Sequence, residues 1–195
     1  FRNIVVMGMG EPLLNYANVV QAVRILSDER GPDISTRRIT ISTCGIIPHL
    51  GSLWGDTHAG LAVSLNAAMD AKRTELMPIN AKYPLPQLMQ ALRDYPLPPR
   101  RRITIEYVLL GGVNDGLADA KALVKILHGV RCKVNLIPFN PWPGAPFTAP
   151  EPEAVLAFQA YLKARDFSVL IRRERGRDIQ AACGQLAGES SAGMM

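Results

Sequence analysis

The sequence is poor in cysteine and in long apolar runs. Its three cysteines, Cys44, Cys132 and Cys183, are far apart and odd in number, which argues against a disulfide framework and against a CxxC-type metal site. The three histidines have no ligand spacing with one another or with a cysteine, so we predict no metal ligand in this chain. No apolar run approaches the roughly 20 residues that a membrane-spanning helix needs. We therefore expect reduced thiols and a cytoplasmic location, with no membrane partner.

A recognisable N-terminal leader and an excess of acidic residues are also lacking. The chain starts at Phe1 and its opening residues resemble neither a signal peptide nor a Met-initiated terminus, so we expect a piece of a longer protein. The 17 acidic residues are outnumbered by 22 Lys and Arg, a net charge of +5 that weakly favours a polyanionic partner. At 195 residues and 48% hydrophobic composition, the chain can bury one substantial core.

Short β-rich runs alternate with amphipathic helical stretches along the chain. The predicted strands are 3–7, 38–43, 61–65, 102–110, 132–137 and 167–171. The predicted helices are 18–27, 85–95, 117–127 and 153–163. This alternation predicts an α/β fold with mainly parallel strands, either an open doubly wound sheet or a whole or partial (βα) barrel.

Polar residues follow most of the predicted strands, where parallel α/β proteins bind their ligands. After the first strand comes Gly8-Met9-Gly10-Glu11-Pro12, in which the glycines allow close backbone approach and Glu11 can hold an ammonium group. The spacing matches neither GxGxxG nor a P-loop. An ordinary turn with a solvated Glu11 is the competing interpretation.

Later strand ends carry Ser42, Ser64, Asn66 and Asn140. These side chains can bond a ribose or a carboxylate, although Ser and Asn also end strands and cap helices routinely. Asn140 belongs to a loop with three prolines, which lower the entropy cost of ordering it. Both the binding and the structural interpretation stay open for each of the four.

Cys183 lies beyond the last predicted strand and follows a cluster of arginines. A lone cysteine beside alanines is usually a small buried apolar residue. Positive charge nearby favours the thiolate, however, and would make Cys183 a nucleophile. The arginines are Arg172, Arg173, Arg175 and Arg177, and such a run is equally typical of a solvated face.

Several long motifs, in order, resemble the RlmN type of the RlmN/Cfr radical S-adenosylmethionine (SAM) methyltransferases. They are Met7 to Asn15, Ile41-Ser42-Thr43, Ser64-Leu65, Leu76 to Asn80, Ile105 to Leu110, Asn135 to Pro141 and Ala181 to Leu186. The resemblance covers about residues 3–187. It implies a partial (βα) barrel missing its first strand, with residues 1–187 as the radical SAM core, a catalytic segment 172–187 and a flexible tail 188–195.

The resemblance also implies a site and a reaction. Gly10 and Glu11 would bind the methionine part of SAM, while the other members of the SAM pocket would be Ser42, Ser64, Leu65, Asn66 and Asn140. Cys183 would receive a methyl group from one SAM, and a second SAM would supply a 5′-deoxyadenosyl radical. The product would be adenine methylated at C2 in large-subunit (23S) rRNA and tRNA. The ligands of the required [4Fe-4S] cluster are expected upstream of residue 1.

The resemblance further implies a monomer that needs an electron donor for its cluster, and the basic character of 100–102 and 172–177 makes these stretches candidate phosphate contacts. Some residues depart from the family pattern, notably Asn66, where the family usually has His, and Cys44, where it usually has Ser. Gly10-Glu11-Pro12 favours the C2 enzyme over the C8 enzyme of the same family. The sequence also leaves open a non-catalytic SAM- or RNA-binding remnant, because the cluster cysteines are lacking, and a small-metabolite barrel enzyme.

Overall fold

The computed structural model describes residues 3–7 and 10–172, and within them strands and helices alternate. The strands are β1 (Ile4–Val6), β2 (Ile39–Thr43), β3 (Gly60–Ser64), β4 (Ile103–Leu109), β5 (Cys132–Pro138) and β6 (Val169–Ile171). The helices are α1 (Tyr16–Ser27), α2 (Ile47–Thr57), α3 (Asp70–Leu76), α4 (Leu85–Arg93), α5 (Leu117–Leu127) and α6 (Pro152–Lys163). The proposed tail 188–195, and the catalytic segment beyond Arg172, lie outside the described residues. No described helix is long and apolar enough to cross a membrane.

The strands pair in parallel in the order β1-β2-β3-β4-β5-β6. Because every crossover advances in the same direction and such crossovers are right-handed, the connecting helices all fall on one face of the sheet. A doubly wound sheet would instead reverse direction once and carry helices on both faces. Of the two architectures compatible with the sequence, the structure is therefore the partial barrel, and the α/β prediction is confirmed.

The core lies between the sheet and its helices. Alternate strand residues form it, and strand pairing puts them side by side, as with Val63, Ile105 and Val134. Leu50 and Leu53 of α2 and Leu88 and Leu92 of α4 belong to the same cluster. Successive strand residues point to opposite faces, so the residues between them face away from the helices.

Two helices, α2 and α3, were not among the predicted ones. Helix α2 has the sequence IPHLGSLWGDT, whose two glycines lower helix propensity and whose Pro48 suggests a loop. Pro48 is in the first turn, where a proline removes no helical hydrogen bond, and Leu50 and Leu53 are both 1% exposed. Burial against the sheet thus outweighs the weak local preference. Helix α4 ends at Arg93, two residues earlier than predicted.

Candidate functional site

The face of the sheet turned away from the helices, which we call the concave face, carries polar side chains near its middle. Ser64 of β3 pairs in register with Glu106 of β4, which pairs with Asn135 of β5. Ser42 lies on the same face of β2, because it alternates with the core residues Ile41 and Thr43. The strands thus have one apolar face that forms the core and a concave face whose middle carries Ser42, Ser64, Glu106 and Asn135.

Glu106 is the most buried acidic group on the concave face. Its residue is 7% exposed, and its carboxylate accepts a hydrogen bond of 3.2 Å from Ser42 Oγ. Burial raises the pKa of Glu106, while the hydrogen bond from Ser42, the charge of Arg172 and a hydrogen bond from Asn135 act in the opposite direction. A cation bound beside this carboxylate would favour its ionised form.

The turn after β1 is held in place by Glu11. One carboxylate oxygen, Oε1, accepts from Leu13 N at 3.0 Å and so caps the short 3-10 helix Pro12–Asn15. The other, Oε2, accepts from Cys44 N at 2.7 Å and so joins this turn to the end of β2. Gly10 has φ = +92°, a conformation that side chains with a Cβ rarely adopt. Glu11 is therefore half-buried and bonded to the backbone through both oxygens, a role that a structural turn would also give it.

Cys44 lies beside Glu11 but is not activated. Burial, followed by the hydrogen bond and the negative charge of Glu11, raises the pKa of its thiol to about 12. A thiol with so high a pKa is a poor nucleophile at neutral pH. Cys132 is also buried, and burial raises its pKa to about 11. Neither described cysteine has the environment of a reactive thiolate.

A fully buried arginine, Arg73 of α3, holds the carboxyl ends of β2 and β3 together. Its guanidinium donates to Leu65 O at 3.2 Å and to Cys44 O at 2.8 Å. A third bond of 2.7 Å goes to Asn80 Oδ1, and Asn80 in turn donates to Asp70 Oδ1 at 2.9 Å. Arg73 is 0% exposed. The guanidinium thus fixes the backbone from which the candidate site residues project.

Asn66 has a structural role next to the same strand end. It adopts φ = +58°, which Asn tolerates better than most residues, and its Oδ1 accepts from Val108 N at 3.0 Å. Its own carbonyl accepts from Asn114 Nδ2 at 2.7 Å. Asn114 is 0% exposed and also caps Leu110 N through Oδ1 at 2.7 Å. Together these bonds connect the loops that follow β3 and β4.

The structure thus places Glu11 beside the end of β2, where it bonds Cys44 N two residues after Ser42, and links Ser42 and Ser64 through Glu106, to which Ser42 donates and with which Ser64 pairs. Leu65 has a side chain in the core, 0% exposed, and its backbone is already bonded, with its N–H donating to Glu106 O and its carbonyl accepting from Arg73 and from Ala67 N. Asn140 follows the end of β5 by two residues and is half-buried. Cys183 lies outside the described residues, as do Arg173, Arg175 and Arg177. Among the described residues, no group of three His, Cys, Asp or Glu side chains is arranged to hold a metal ion.

Two site residues, Glu106 and Arg73, were not predicted. Glu106 could have been found, since it is an acidic residue at a non-core position of the otherwise apolar strand Ile103–Leu109. Arg73 gave no signal, because Asp70–Leu76 has the composition of a solvated helix and nothing local indicates that its arginine is buried.

Comparison with solved structures defines the class of the protein. A radical SAM methyltransferase from Sphaerobacter thermophilus superimposes with a TM-score of 0.90 at 47% identity, over 95% of this chain and 55% of that one. A domain of pyruvate-formate lyase-activating enzyme from Bacteroides vulgatus gives 0.66 at 13% identity, over 89% of this chain and all of that domain. The second likeness shows the fold alone. With its parallel order and strand-end site, the chain has a radical SAM-type partial barrel.

Curated relatives then identify the family. The chain is 53% identical to the dual-specificity RNA methyltransferase RlmN of Syntrophus aciditrophicus, over 97% of this chain and 54% of that protein. It is 53% identical to the RlmN of Geobacter sulfurreducens, over 98% of this chain and 53% of the relative. It therefore belongs to the RlmN family and spans about half the length of the curated relatives it matches. A scan of family models gave no match.

Proposed function

We propose that these residues form the SAM-binding core of an enzyme that methylates the C2 carbon of adenine in 23S rRNA and tRNA. The relatives' shared name, dual-specificity RNA methyltransferase, supports RNA as the substrate. The observation that carries the proposal is the set of groups near the strand ends: Glu11 accepts from Cys44 N just after β2, Ser42 donates to the buried Glu106, and Ser64 pairs in register with Glu106. Pro12, which opens the 3-10 helix after Glu11, favours the C2 over the C8 position within the wider family.

The donor set fits SAM, a molecule with an ammonium, a carboxylate, a ribose and a positive sulfonium. Each oxygen of Glu11 accepts one backbone N–H, which leaves each with acceptor capacity for an ammonium group. Ser42 donates its hydroxyl proton to Glu106 and can accept from a ribose hydroxyl, while the hydroxyl of Ser64 can bond the ribose or the carboxylate. Further contacts are proposed for Gly10, Asn66 and Asn140, whereas Leu65, with its side chain in the core and its backbone bonded, would act by positioning the strand end. The charge of Glu106 complements that of the cofactor and orients the Ser42 hydroxyl.

SAM and a [4Fe-4S] cluster supply the methyl group and the radical chemistry when bound. In the chain itself, Cys183 is the residue we propose to carry the methyl group. The last described residue of this part, Arg172, follows β6, donates through its backbone N–H to Leu136 O, and its charge acts on Glu106. Cys183 follows 11 residues later, and so short a segment spans at most about 40 Å. The concave face is therefore within reach of its thiol.

Binding of SAM to this chain tests the pocket. Equilibrium dialysis with labelled SAM should show at least a tenfold weaker affinity for Glu11→Gln, because an uncharged amide replaces the ammonium partner. Glu75→Gln is the matched control, since Glu75 is an exposed glutamate on α3. Equal affinities for the two variants would refute the role of Glu11.

Methylation of RNA tests the reaction. In the whole protein, reconstituted with iron and sulfide, Cys183→Ala should abolish methylation at adenine C2, detected by mass spectrometry of digested RNA. Cys132→Ala should retain it, because Cys132 is a core residue. Retained methylation in Cys183→Ala would exclude this cysteine as the methyl carrier. An electron donor, a monomeric state and cluster ligands upstream remain part of the same proposal.

A further inference from the structure

A cleft lies at the opposite end of the sheet from the candidate SAM site. Its lining residues come from the segments that lead into β2, β3 and β4, and they enclose about 740 Å³. They include Arg37, Trp54, His58, Arg100 and Arg101. We call this feature the basic cleft. Its position at the amino ends of three adjacent strands makes it a separate surface from the polar concave face.

The basic cleft carries unpaired positive charge. Arg37 and Arg100 are exposed, and no acidic side chain is among the lining residues. The two ion pairs found in the described part of the chain, Arg30–Asp28 and Lys72–Asp119, involve neither arginine. Arginines without a carboxylate partner favour an anionic ligand, and a guanidinium matches phosphate geometry with two parallel hydrogen bonds.

An aromatic platform lies beside this charge. The guanidinium of Arg101 is 5.4 Å from the centroid of the Trp54 ring. His58 meets the same indole edge-on at 5.3 Å. A half-buried tryptophan with a stacked arginine is the arrangement on which unpaired nucleobases stack, while flanking arginines hold the phosphates. A free phosphate would use the arginines but not the indole.

The distance between the cleft and the SAM site sets the size of the ligand. Strand β4 has 7 residues. At about 3.3 Å per residue, the two ends of the sheet are roughly 20 Å apart. A single nucleotide cannot occupy both ends. A folded RNA can, because its backbone continues well beyond the base that is modified.

We propose that the basic cleft is a remote RNA-docking site, where Arg37 and Arg100 contact backbone phosphates and Trp54 with Arg101 stacks an unpaired base. The proposal rests on the proposed function for the identity of the polyanion. It adds a contact surface some 20 Å from the site of methylation. Binding there would select folded RNA over short oligonucleotides without taking part in the reaction.

The test compares two double variants of this chain in binding a fluorescent tRNA at several salt concentrations. Arg37→Gln/Arg100→Gln removes two exposed cations from the cleft, and Lys121→Gln/Lys125→Gln removes two exposed cations from α5. Loss of two phosphate contacts reduces the slope of log K against log salt by about 1.4. If the parent and the variant bind equally near 1 M salt, that change in slope makes binding by the variant about 25-fold weaker than by the parent at 0.1 M salt. The α5 variant should bind as the parent does.

Each outcome bears on the proposal. Equal binding by the two double variants overturns the cleft as a docking site and leaves the proposed function intact, because SAM binding is measured separately. If millimolar inorganic phosphate competes with the labelled tRNA as effectively as unlabelled RNA does, the cleft is a small-anion pocket and the RNA-docking proposal is overturned. Failure of the parent chain to bind tRNA at 0.1 M salt overturns it as well. Trp54→Leu should weaken binding without changing the salt slope, which separates stacking from charge.

Discussion

Replacing the buried Arg73 by Met should destabilise the protein by about 2–4 kcal/mol. Methionine is of similar length and apolar, so it fills the space but donates no hydrogen bond. Leu65 O keeps a second donor, Ala67 N at 2.7 Å, whereas Cys44 O and Asn80 Oδ1 lose the bonds of 2.8 and 2.7 Å. Each buried acceptor left without a donor costs about 1–3 kcal/mol, and the guanidinium no longer has to be desolvated, which offsets part of that cost.

Urea unfolding followed by far-UV circular dichroism measures this difference, and thermal unfolding should show a fall of about 4–16 °C. Arg93→Met is the matched control, because Arg93 also donates to two backbone carbonyls, Ile126 O and His128 O, both at 3.2 Å, but is exposed. It should cost less than about 1 kcal/mol. If Arg73→Met is no more damaging than Arg93→Met, the strand-end contacts of Arg73 do not stabilise the fold.

Three further substitutions or treatments test the site. Burial raises the pKa of Glu106, so the stability that this residue contributes is present below its unfolded pKa and is lost as pH rises through its folded pKa. In urea melts, Glu106→Gln should therefore gain stability relative to the parent as the pH rises from 4 to 7.5. A stability difference that does not change with pH would contradict this. Gly10→Ala should cost about 1–2 kcal/mol because of φ = +92°, even though no atom of the described residues lies within 4 Å of the added methyl. An unchanged stability would show that the turn adopts another conformation. Because the pKa of the Cys44 thiol is raised to about 12, Cys44 should react with iodoacetamide at pH 8 far more slowly in the native chain than in urea. Peptide mapping measures the two rates, and equal rates would contradict the burial of Cys44 beside Glu11.

The alternation of strands and helices could be predicted because it depends on local periodicity. All six predicted strands correspond to observed ones, whereas their sequential order, which distinguishes the partial barrel from a doubly wound sheet, has no local signature. Helix α2 could not be predicted, since its glycines and Pro48 give no helical signal and only packing of Leu50 and Leu53 against the sheet stabilises it.

The candidate site could be predicted in part. Glu11 and Ser42 were found from strand-end position, but the bond from Glu11 to Cys44 N joins residues 33 positions apart and has no local signature. Arg73 shows the same limit, because its role depends on carbonyls contributed by two different strands. The assignments of SAM and Cys183 depend on resemblance to the RlmN family rather than on any pattern in this chain alone.

The division of each strand into a core face and a ligand face has an evolutionary consequence. Substitutions at one parity, such as Ile105 or Val134, are constrained by volume, whereas those at the other, such as Glu106 or Asn135, are constrained by polarity and charge. The chemistry of such a sheet can therefore diverge while its packing is conserved. A residue inserted in a strand would turn the core side chains to the concave face and the polar side chains to the core, and so would destroy the packing and the ligand face together. We therefore expect related proteins to differ by substitutions within the strands and by length only in the loops.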